Sequence, residues 1–133
     1  MRSLFDEWVT WMVKGIGCDI IEIDRFRQTL GRRGDPFLAK LFTEEERHYC
    51  DTFSDAAPHY AARFAGKEAI AKALGTGFGA ALAFHDISIL PGPHGKPEVR
   101  FSPRFLESFG SIPHLLISLS HCHAYAMATA VWH

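Results

Sequence analysis

The segment YAARFAGKEAIAKAL, residues 60–74, decides the fold. At about 100° per residue, small and apolar side chains surround almost the whole circumference of a helix built from it. A helix with such a surface is expected to be largely buried. Pro58 suits the first turn of this helix, and Gly75 suits its C-terminal cap. We therefore predict a buried helix from about His59 to Leu74.

Charged residues interrupt this apolar helix. Glu68 and Lys72 lie one turn apart, and Lys67 is adjacent to Glu68. Burial of an unpaired charge is costly, so these side chains need partners or must open onto a cleft. The alternative is an ordinary salt bridge between Glu68 and Lys72, worth only about 0.2–0.5 kcal/mol. Helical spacing alone does not separate these two interpretations.

A second carboxylate lies near the end of a predicted strand, Met12 to Ile21. Gly15, Gly17 and Asp19 share one face of that strand, because side chains alternate with a period of two. Carboxylates of Asp19 and Glu68 that met in a cleft beside lysines would suit Mg²⁺, which keeps several waters and shares phosphate oxygens. The alternative is that Asp19 only caps a turn. The sequence spacing does not establish that the two carboxylates meet.

The remaining pattern predicts a single small α+β domain, residues 13–133, with an antiparallel sheet packed against the long helix. Residues 1–12, which include Trp8 and Trp11, form a predicted N-terminal extension. Two further helices are expected, from Asp24 to Leu30 with a turn at Gly31–Gly34, and from a capping box at Thr43 to about Cys50. The predicted later elements are strands Phe84–Leu90 and Glu98–Phe101, a short helix from Ser102-Pro103, and a strand pair Leu115–Ser120 and Tyr125–Trp132.

Composition sets limits on the class of protein. The 133 residues are 47% hydrophobic and 22% charged, which favours an ordinary globular chain over a disordered one. The net charge of −1 gives no global case for nucleic acid or anionic membrane, so an anionic ligand needs a local cluster. Three widely spaced cysteines indicate reduced thiols, and the first residues do not form a signal peptide. We expect a cytoplasmic protein with no membrane partner.

Two further segments could contact phosphate. Gly75-Thr76-Gly77-Phe78-Gly79 would let backbone N–H groups approach an anion, although Gly75 is equally an ordinary helix cap. His121 follows Ser118-Leu119-Ser120 and is placed to donate a hydrogen bond to a phosphate. His121-Cys122-His123, with eight histidines in all, also raises the hypothesis of a zinc protein, but no distant ligand set is evident. We expect Cys122 to be a small packing residue.

Taken in order, these segments resemble one family. GIGCDIIEIDRF, FTEEER, RFAGKEAIAKALGTGFG, DISI with HGKPEVRF, and ISLSHCHAYAMA are similar to the holo-[acyl-carrier-protein] synthases, which are 4'-phosphopantetheinyl transferases. The resemblance extends from about Val13 to Val131. It implies transfer of the 4'-phosphopantetheine arm of coenzyme A to a serine of an apo carrier protein, with adenosine 3',5'-bisphosphate as the second product. It also implies a homotrimer with active sites at subunit boundaries.

The resemblance assigns roles to individual residues. It implies Mg²⁺ held by Asp19 and Glu68 together with the pyrophosphate, and phosphate charge stabilised by Lys72 and Lys67. Glu68, Lys72 and Asp19 are thus the predicted catalytic residues. The other predicted contacts are Gly75, Gly77 and His121 for phosphate, Gly95 and Lys96 for the nucleotide end of coenzyme A, and Arg25, Arg32 and Arg33 for an acidic carrier protein.

Several alternatives stay open at this point. The base that deprotonates the carrier serine is either Glu68 or a water on the metal. The carrier is of fatty-acid or polyketide type. A chain with this fold could also bind coenzyme A or a carrier protein without catalysis. Finally, the chain departs from the family pattern at Gly66, where alanine is usual, and at Cys122-His123, where a threonine and a polar residue are usual.

Overall fold

The structure is a computed structural model that describes Ser3, Leu4, Asp6 and residues 12–133. Trp8 and Trp11 of the predicted extension lie outside the described residues. The elements in chain order are β1 (Gly15–Glu22), α1 (Ile23–Leu41), α2 (Glu44–Cys50), α3 (Ala57–Leu74), β2 (Ile87–Pro91), β3 (Pro97–Phe101), α4 (Pro103–Phe109), β4 (Leu115–His121) and β5 (Tyr125–Trp132).

The strands form two antiparallel sheets. One sheet has the order β1-β5-β4, and the other is the hairpin of β2 and β3. Three successive positions on the face of the central strand β5 toward α3 are alanines, and all are fully buried: Ala126, Ala128 and Ala130. The predicted α+β fold, with an antiparallel sheet packed against a long helix, is confirmed.

Glycine brings β1 and α3 into backbone contact. A Cβ atom at Gly15 would clash with the carbonyl oxygen of Ala73, and one at Gly17 would clash with the carbonyl oxygen of Ala69. No side chain therefore separates the strand from the helix at these two levels. This contact places the next residue on the same face of β1, Asp19, directly beside the helix surface.

Gly66 makes a third close contact, on the side of α3 that faces β2 and β4. A Cβ atom there would lie 2.6 Å from Ile89 Cδ1 and 3.1 Å from Leu119 Cδ2. Glycine at this position therefore has a packing reason, since large aliphatic side chains already fill the space that a methyl group would need.

The structure confirms most of the predicted elements. Helix α3 includes Pro58 in its first turn and ends at Gly75 with φ of 74°. Helix α2 begins at the predicted capping box, in which the Thr43 hydroxyl accepts from the Glu46 backbone N–H. The strand pair near the C-terminus also lies where it was expected.

The first predicted helix ends later than Leu30, but it is interrupted within the predicted turn at Gly31–Gly34. Helix α1 extends past Gly31 to a break at Gly34, whose φ of 64° and ψ of −153° are not helical, and a second helical segment then runs to Leu41. The apolar contacts do not stop at Leu30, because Phe37 packs against Phe26 with ring centroids 6.5 Å apart. The second half of the helix is therefore held by the same core as the first half.

The predicted strand from Phe84 begins too early. Residues Phe84–Asp86 form a 3₁₀ turn, and β2 starts at Ile87. The buried Asp86 carboxylate accepts the Ala83 backbone N–H at 2.8 Å and the Ser102 hydroxyl at 2.5 Å, and it pairs with Arg104. These side-chain hydrogen bonds favour a turn over an extended strand.

The glycine contact can be tested by substitution. Gly17→Ala should lower the free energy of unfolding by about 3 kcal/mol, because the new methyl group meets a backbone carbonyl that cannot rotate away. The measurement is urea unfolding followed by circular dichroism.

Gly31→Ala provides the matched control for this substitution. Gly31 lies within α1 with no atom within 4 Å of a built Cβ, so alanine there should stabilise the protein by about 0.4–1 kcal/mol. Equal effects of the two substitutions would contradict the packing argument.

Candidate active site

The predicted catalytic residues meet in a cleft between β1 and α3. Lys72 Nζ lies 3.5 Å from Asp19 Oδ1 and donates to the Cys18 carbonyl oxygen at 2.9 Å. The Asp19 side chain is 21% exposed and that of Lys72 is 55% exposed, so both reach solvent. Lys72 therefore forms its ion pair with Asp19, across the cleft. The simpler interpretation from the sequence placed that ion pair along the helix, between Lys72 and Glu68.

Glu68 lies on α3 one turn before Lys72 and is half-buried. Burial raises the pKa of the Glu68 carboxyl, the nearby negative charge of Asp19 raises it further, and Lys72 partly opposes both. Two carboxylates that repel each other in a solvent-reaching cleft suit a bound cation.

The donor set of this cleft fits Mg²⁺. This ion is commonly held by one or two carboxylates and completes its coordination with waters and substrate phosphates. Asp19 and Glu68 could supply the two carboxylates. Lys72 adds a positive charge beside them, where a phosphate that shared the ion would lie.

Lys67 requires a correction. Its side chain is fully buried, with Nζ 2.6 Å from Glu46 Oε1, and it donates to the carbonyl oxygens of Leu41 at 2.8 Å and Phe84 at 3.0 Å. These three contacts use all three ammonium hydrogens, so the lysine does not face the cleft as a phosphate ligand. Burial lowers the pKa of Lys67, and the Glu46 carboxylate opposes that shift.

The glycine-rich loop begins one turn beyond the lysine of the cleft. The Gly75 N–H bonds the Lys72 carbonyl at 3.2 Å, and Gly77 has φ of 59°. Within the part of the chain described, the buried Thr76 hydroxyl oxygen has no hydrogen-bond partner. The ring of Phe78 stacks on Phe84 with centroids 3.8 Å apart, which holds the far side of the loop.

Other predicted ligands lie elsewhere in the single chain. His121 ends β4 and its ring is 5.5 Å from that of His59, in the first turn of α3. His59 precedes Glu68 by nine residues, which is about 13 Å along a helix. Gly95 and Lys96 lie in the exposed turn between β2 and β3. Since β3 packs near β4, this turn is on the side of the sheet opposite β1.

The turn that contains Lys96 borders a cavity of about 560 Å³ between β3 and β4. Lys96 and His94 line its polar side, and Leu115 and Val99 line its apolar side. The single chain thus separates this cavity from the Asp19 cleft.

Arg25 borders a different cavity, of about 400 Å³, next to the cleft. Phe26, Phe37 and Phe64 line it, and Phe64 lies one turn before Glu68 on α3. Arg32 and Arg33 are exposed farther along α1, and the Arg33 guanidinium lies 4.6 Å from the Phe37 ring. Sequence reasoning found the arginines but not these phenylalanines, although Phe64 four residues before Glu68 was an available signal.

The His-Cys-His segment gives no metal site. Across the described residues, no three histidine, cysteine or acidic side chains come close enough to share a metal ion, so the zinc hypothesis has no geometric support. Cys122, expected to be a small packing residue, is exposed in the single chain. In the same part of the chain, no helix has the length and apolar character needed to span a membrane.

Comparisons with known proteins show the family of the chain. Residues 15–130 match the family model of the 4'-phosphopantetheinyl transferase superfamily. A holo-[acyl-carrier-protein] synthase of Protochlamydia amoebophila is 50% identical over 121 residues, which cover 91% of this chain and 98% of that protein.

Two solved structures extend this similarity to the fold. The Neisseria meningitidis holo-[acyl-carrier-protein] synthase has a TM-score of 0.83 at 34% identity, covering 92% of this chain and 99% of that one. The Helicobacter pylori enzyme in complex with coenzyme A has a TM-score of 0.79 at 33% identity, covering 89% and 99%. The chain belongs to the 4'-phosphopantetheinyl transferase superfamily and, within it, to the holo-[acyl-carrier-protein] synthases.

Proposed function

We propose that this protein transfers the 4'-phosphopantetheine group of coenzyme A to a serine of an apo acyl carrier protein in a Mg²⁺-dependent reaction. The products are the holo carrier protein and adenosine 3',5'-bisphosphate. The observation that supports this most directly is the convergence of Asp19, Glu68 and Lys72, from two distant motifs, in one cleft. Two relatives with solved structures hold coenzyme A or its nucleotide.

The chemistry requires stabilisation of phosphate charge. The serine oxygen forms a bond to the phosphorus that carries the pantetheine arm, and the bond from that phosphorus to the bridging oxygen breaks. Negative charge grows on the oxygens of the leaving bisphosphate, where fixed positive charge lowers the barrier. Mg²⁺ held by Asp19 and Glu68 would supply part of that charge.

The protein's own residues supply the rest. Lys72 projects its ammonium group to the cleft mouth, within reach of a phosphate beside Asp19. Glu68, or a water on the metal ion, is proposed to accept the proton of the serine hydroxyl. Thr76 and the Gly75 and Gly77 backbone border the same end of α3 and are proposed to contact the phosphates.

We also propose a homotrimer with active sites at subunit boundaries. The outer face of the three-stranded sheet exposes large apolar side chains, with Ile16 71%, Ile20 65%, Leu116 50% and Met127 44% exposed. An apolar patch of this kind typically marks a protein interface. In this assembly Gly95, Lys96 and His121 of one subunit are proposed to serve the Asp19 cleft of another, since in the single chain they lie away from it.

The carrier protein is proposed to dock on α1. Arg25 and Arg32 are exposed there and suit an acidic partner. The cavity beside Arg25 has a phenylalanine floor and could take an apolar side chain of the carrier. Its position next to Asp19 and Glu68 would hold the carrier serine near the pantetheine phosphate.

A cytoplasmic location is proposed on the state of the thiols. Cys18, Cys50 and Cys122 are all free. Burial raises the pKa of the Cys50 thiol to about 12, so that thiol stays protonated and inert. Free thiols of this kind are typical of a reducing compartment.

The catalytic pair gives the first functional prediction. Asp19→Ala and Glu68→Ala should each reduce transfer at least about 100-fold, because each removes a carboxylate that would hold Mg²⁺. Intact-mass spectrometry of an apo carrier incubated with coenzyme A measures the transfer, and excess EDTA should reproduce the loss.

Glu107→Ala, an exposed carboxylate on α4, is the control and should transfer normally. If the unaltered protein binds coenzyme A by calorimetry but gives no mass shift on several carriers, it is a non-catalytic binding module. An active Asp19→Ala/Glu68→Ala double variant would refute the assignment of the metal ligands.

The subunit interface can be tested on the sheet face. Ile16→Glu and Leu116→Glu flank Val131 from the two outer strands, and together they place charge on the proposed contact. The double variant should be a folded monomer by light scattering and should lose transfer. Ile112→Glu is the control, since Ile112 is 67% exposed but lies outside the strands. A trimer that survives the double substitution would place the interface elsewhere.

The docking surface gives a kinetic prediction. Arg25→Glu should raise the KM for the carrier protein at least about 10-fold, because it replaces attraction by repulsion, with the KM for coenzyme A unchanged. Arg100→Glu, on β3, should change neither constant by more than about twofold. A rise in the KM for coenzyme A with Arg25→Glu would instead indicate that Arg25 contacts the nucleotide.

A further inference from the structure

The pair formed by Lys67 and Glu46 is the most deeply buried charge in the described chain. Both side chains are fully buried, and the Nζ to Oε1 distance is 2.6 Å. Glu46 Oε1 also accepts the Thr43 backbone N–H at 3.0 Å, and Oε2 accepts the Ile89 backbone N–H at 2.9 Å. Each polar atom of the pair therefore has a partner.

These contacts connect α3 to four other segments. Through Lys67, the helix is bonded to the last residue of α1, at Leu41, and to the 3₁₀ turn at Phe84. Through Glu46, it is bonded to the first turn of α2 and to β2. The pair thus holds the side of α3 that faces α1, α2, β2 and the 3₁₀ turn.

The opposite side of the same helix contacts β1. Lys67 and Ala69 are two positions apart, which places them about 160° apart around the helix. Ala69 meets Gly17 without an intervening side chain. Helix α3 is consequently held on two opposite sides, and Glu68 projects between them at the edge of the cleft.

We infer that the Lys67–Glu46 pair is a positioning device that fixes the rotation of α3 and so aims Glu68 at the site shared with Asp19. In this role neither residue touches coenzyme A or the carrier. The inference rests on the proposed function for its metal pair, but the pair's own geometry comes from contacts outside the cleft. The glycine contacts with β1 fix how closely the strand approaches the helix, whereas the directional hydrogen bonds of the pair fix the rotation of the helix about its axis.

The test replaces the pair without leaving a lone buried charge. Lys67→Met with Glu46→Gln keeps the side-chain lengths and the capping residue of α2, and removal of both charges together avoids the instability of removing one. Mn²⁺ binding to the full chain, measured by electron paramagnetic resonance without coenzyme A, reports the geometry of the carboxylates. We expect the variant to melt cooperatively and to bind Mn²⁺ about 10-fold more weakly, as for the loss of other groups that orient metal ligands.

Two further variants complete the experiment. Phe105→Leu alters a buried side chain of α4 and should lower stability while leaving Mn²⁺ affinity unchanged. Glu46→Asp keeps both charges but shortens the carboxylate arm, so it should also weaken Mn²⁺ binding. This variant provides the test if the double variant does not fold.

The outcomes separate the two proposals. Folded variants of Lys67 and Glu46 that bind Mn²⁺ within twofold of the unaltered protein would overturn the positioning role and leave the proposed function intact. Failure of the unaltered protein to bind Mn²⁺ both without and with coenzyme A would overturn the metal pair itself and with it the inference.

Discussion

The contact between the backbones of β1 and α3 is the constraint on which the rest of the structure depends. Gly15 and Gly17 allow the strand to lie against the carbonyls of Ala73 and Ala69. Any bulkier residue at these positions would push the helix outward and widen the cleft. The position of Asp19 beside Lys72 is a direct result, because Asp19 continues the same face of the strand. The alanines of β5 extend the same close packing across the sheet.

This constraint explains why so few charges can be tolerated near the helix. The chain divides the charges of one helical turn between two environments. Glu68 and Lys72 reach the cleft, whereas Lys67 is buried against Glu46. Adjacent residues on a helix point about 100° apart, so a single step along the chain is sufficient for this division. A buried charge pair contributes little to net stability, but its hydrogen bonds have strict geometry.

Local patterns predicted the elements well. Helix α3, the capping box at Thr43 and the C-terminal strand pair have clear signals in the sequence, and the structure confirms them. The break at Gly34 lies within the turn predicted from the sequence, but the helical segment after it was not predicted, because only the packing of Phe37 against Phe26 holds it there. The 3₁₀ turn at Asp86 depends on Ser102 and Arg104, which are distant in sequence.

The residues of the site were likewise predictable only in part. Asp19 and Glu68 could be chosen as cleft residues from their unusual surroundings, and family resemblance joined them, but no spacing between positions 49 residues apart measures a distance. Lys67 was misassigned because its partner, Glu46, belongs to a helix whose docking is not encoded by any local pattern. The phenylalanines beside Arg25 were missed for the same reason, since they come from two helices, α1 and α3.

The close packing around Gly66 has a consequence for which substitutions the protein can accept during evolution. Ile89 and Leu119 fill the space that the family's usual alanine would need. The three positions therefore share one fixed volume, and a change at one alters what the others accept. During divergence, a larger residue at 66 should spread only in lineages that already have a smaller one at 89 or 119. These distant positions should accordingly change together, and each should look intolerant when mutated alone.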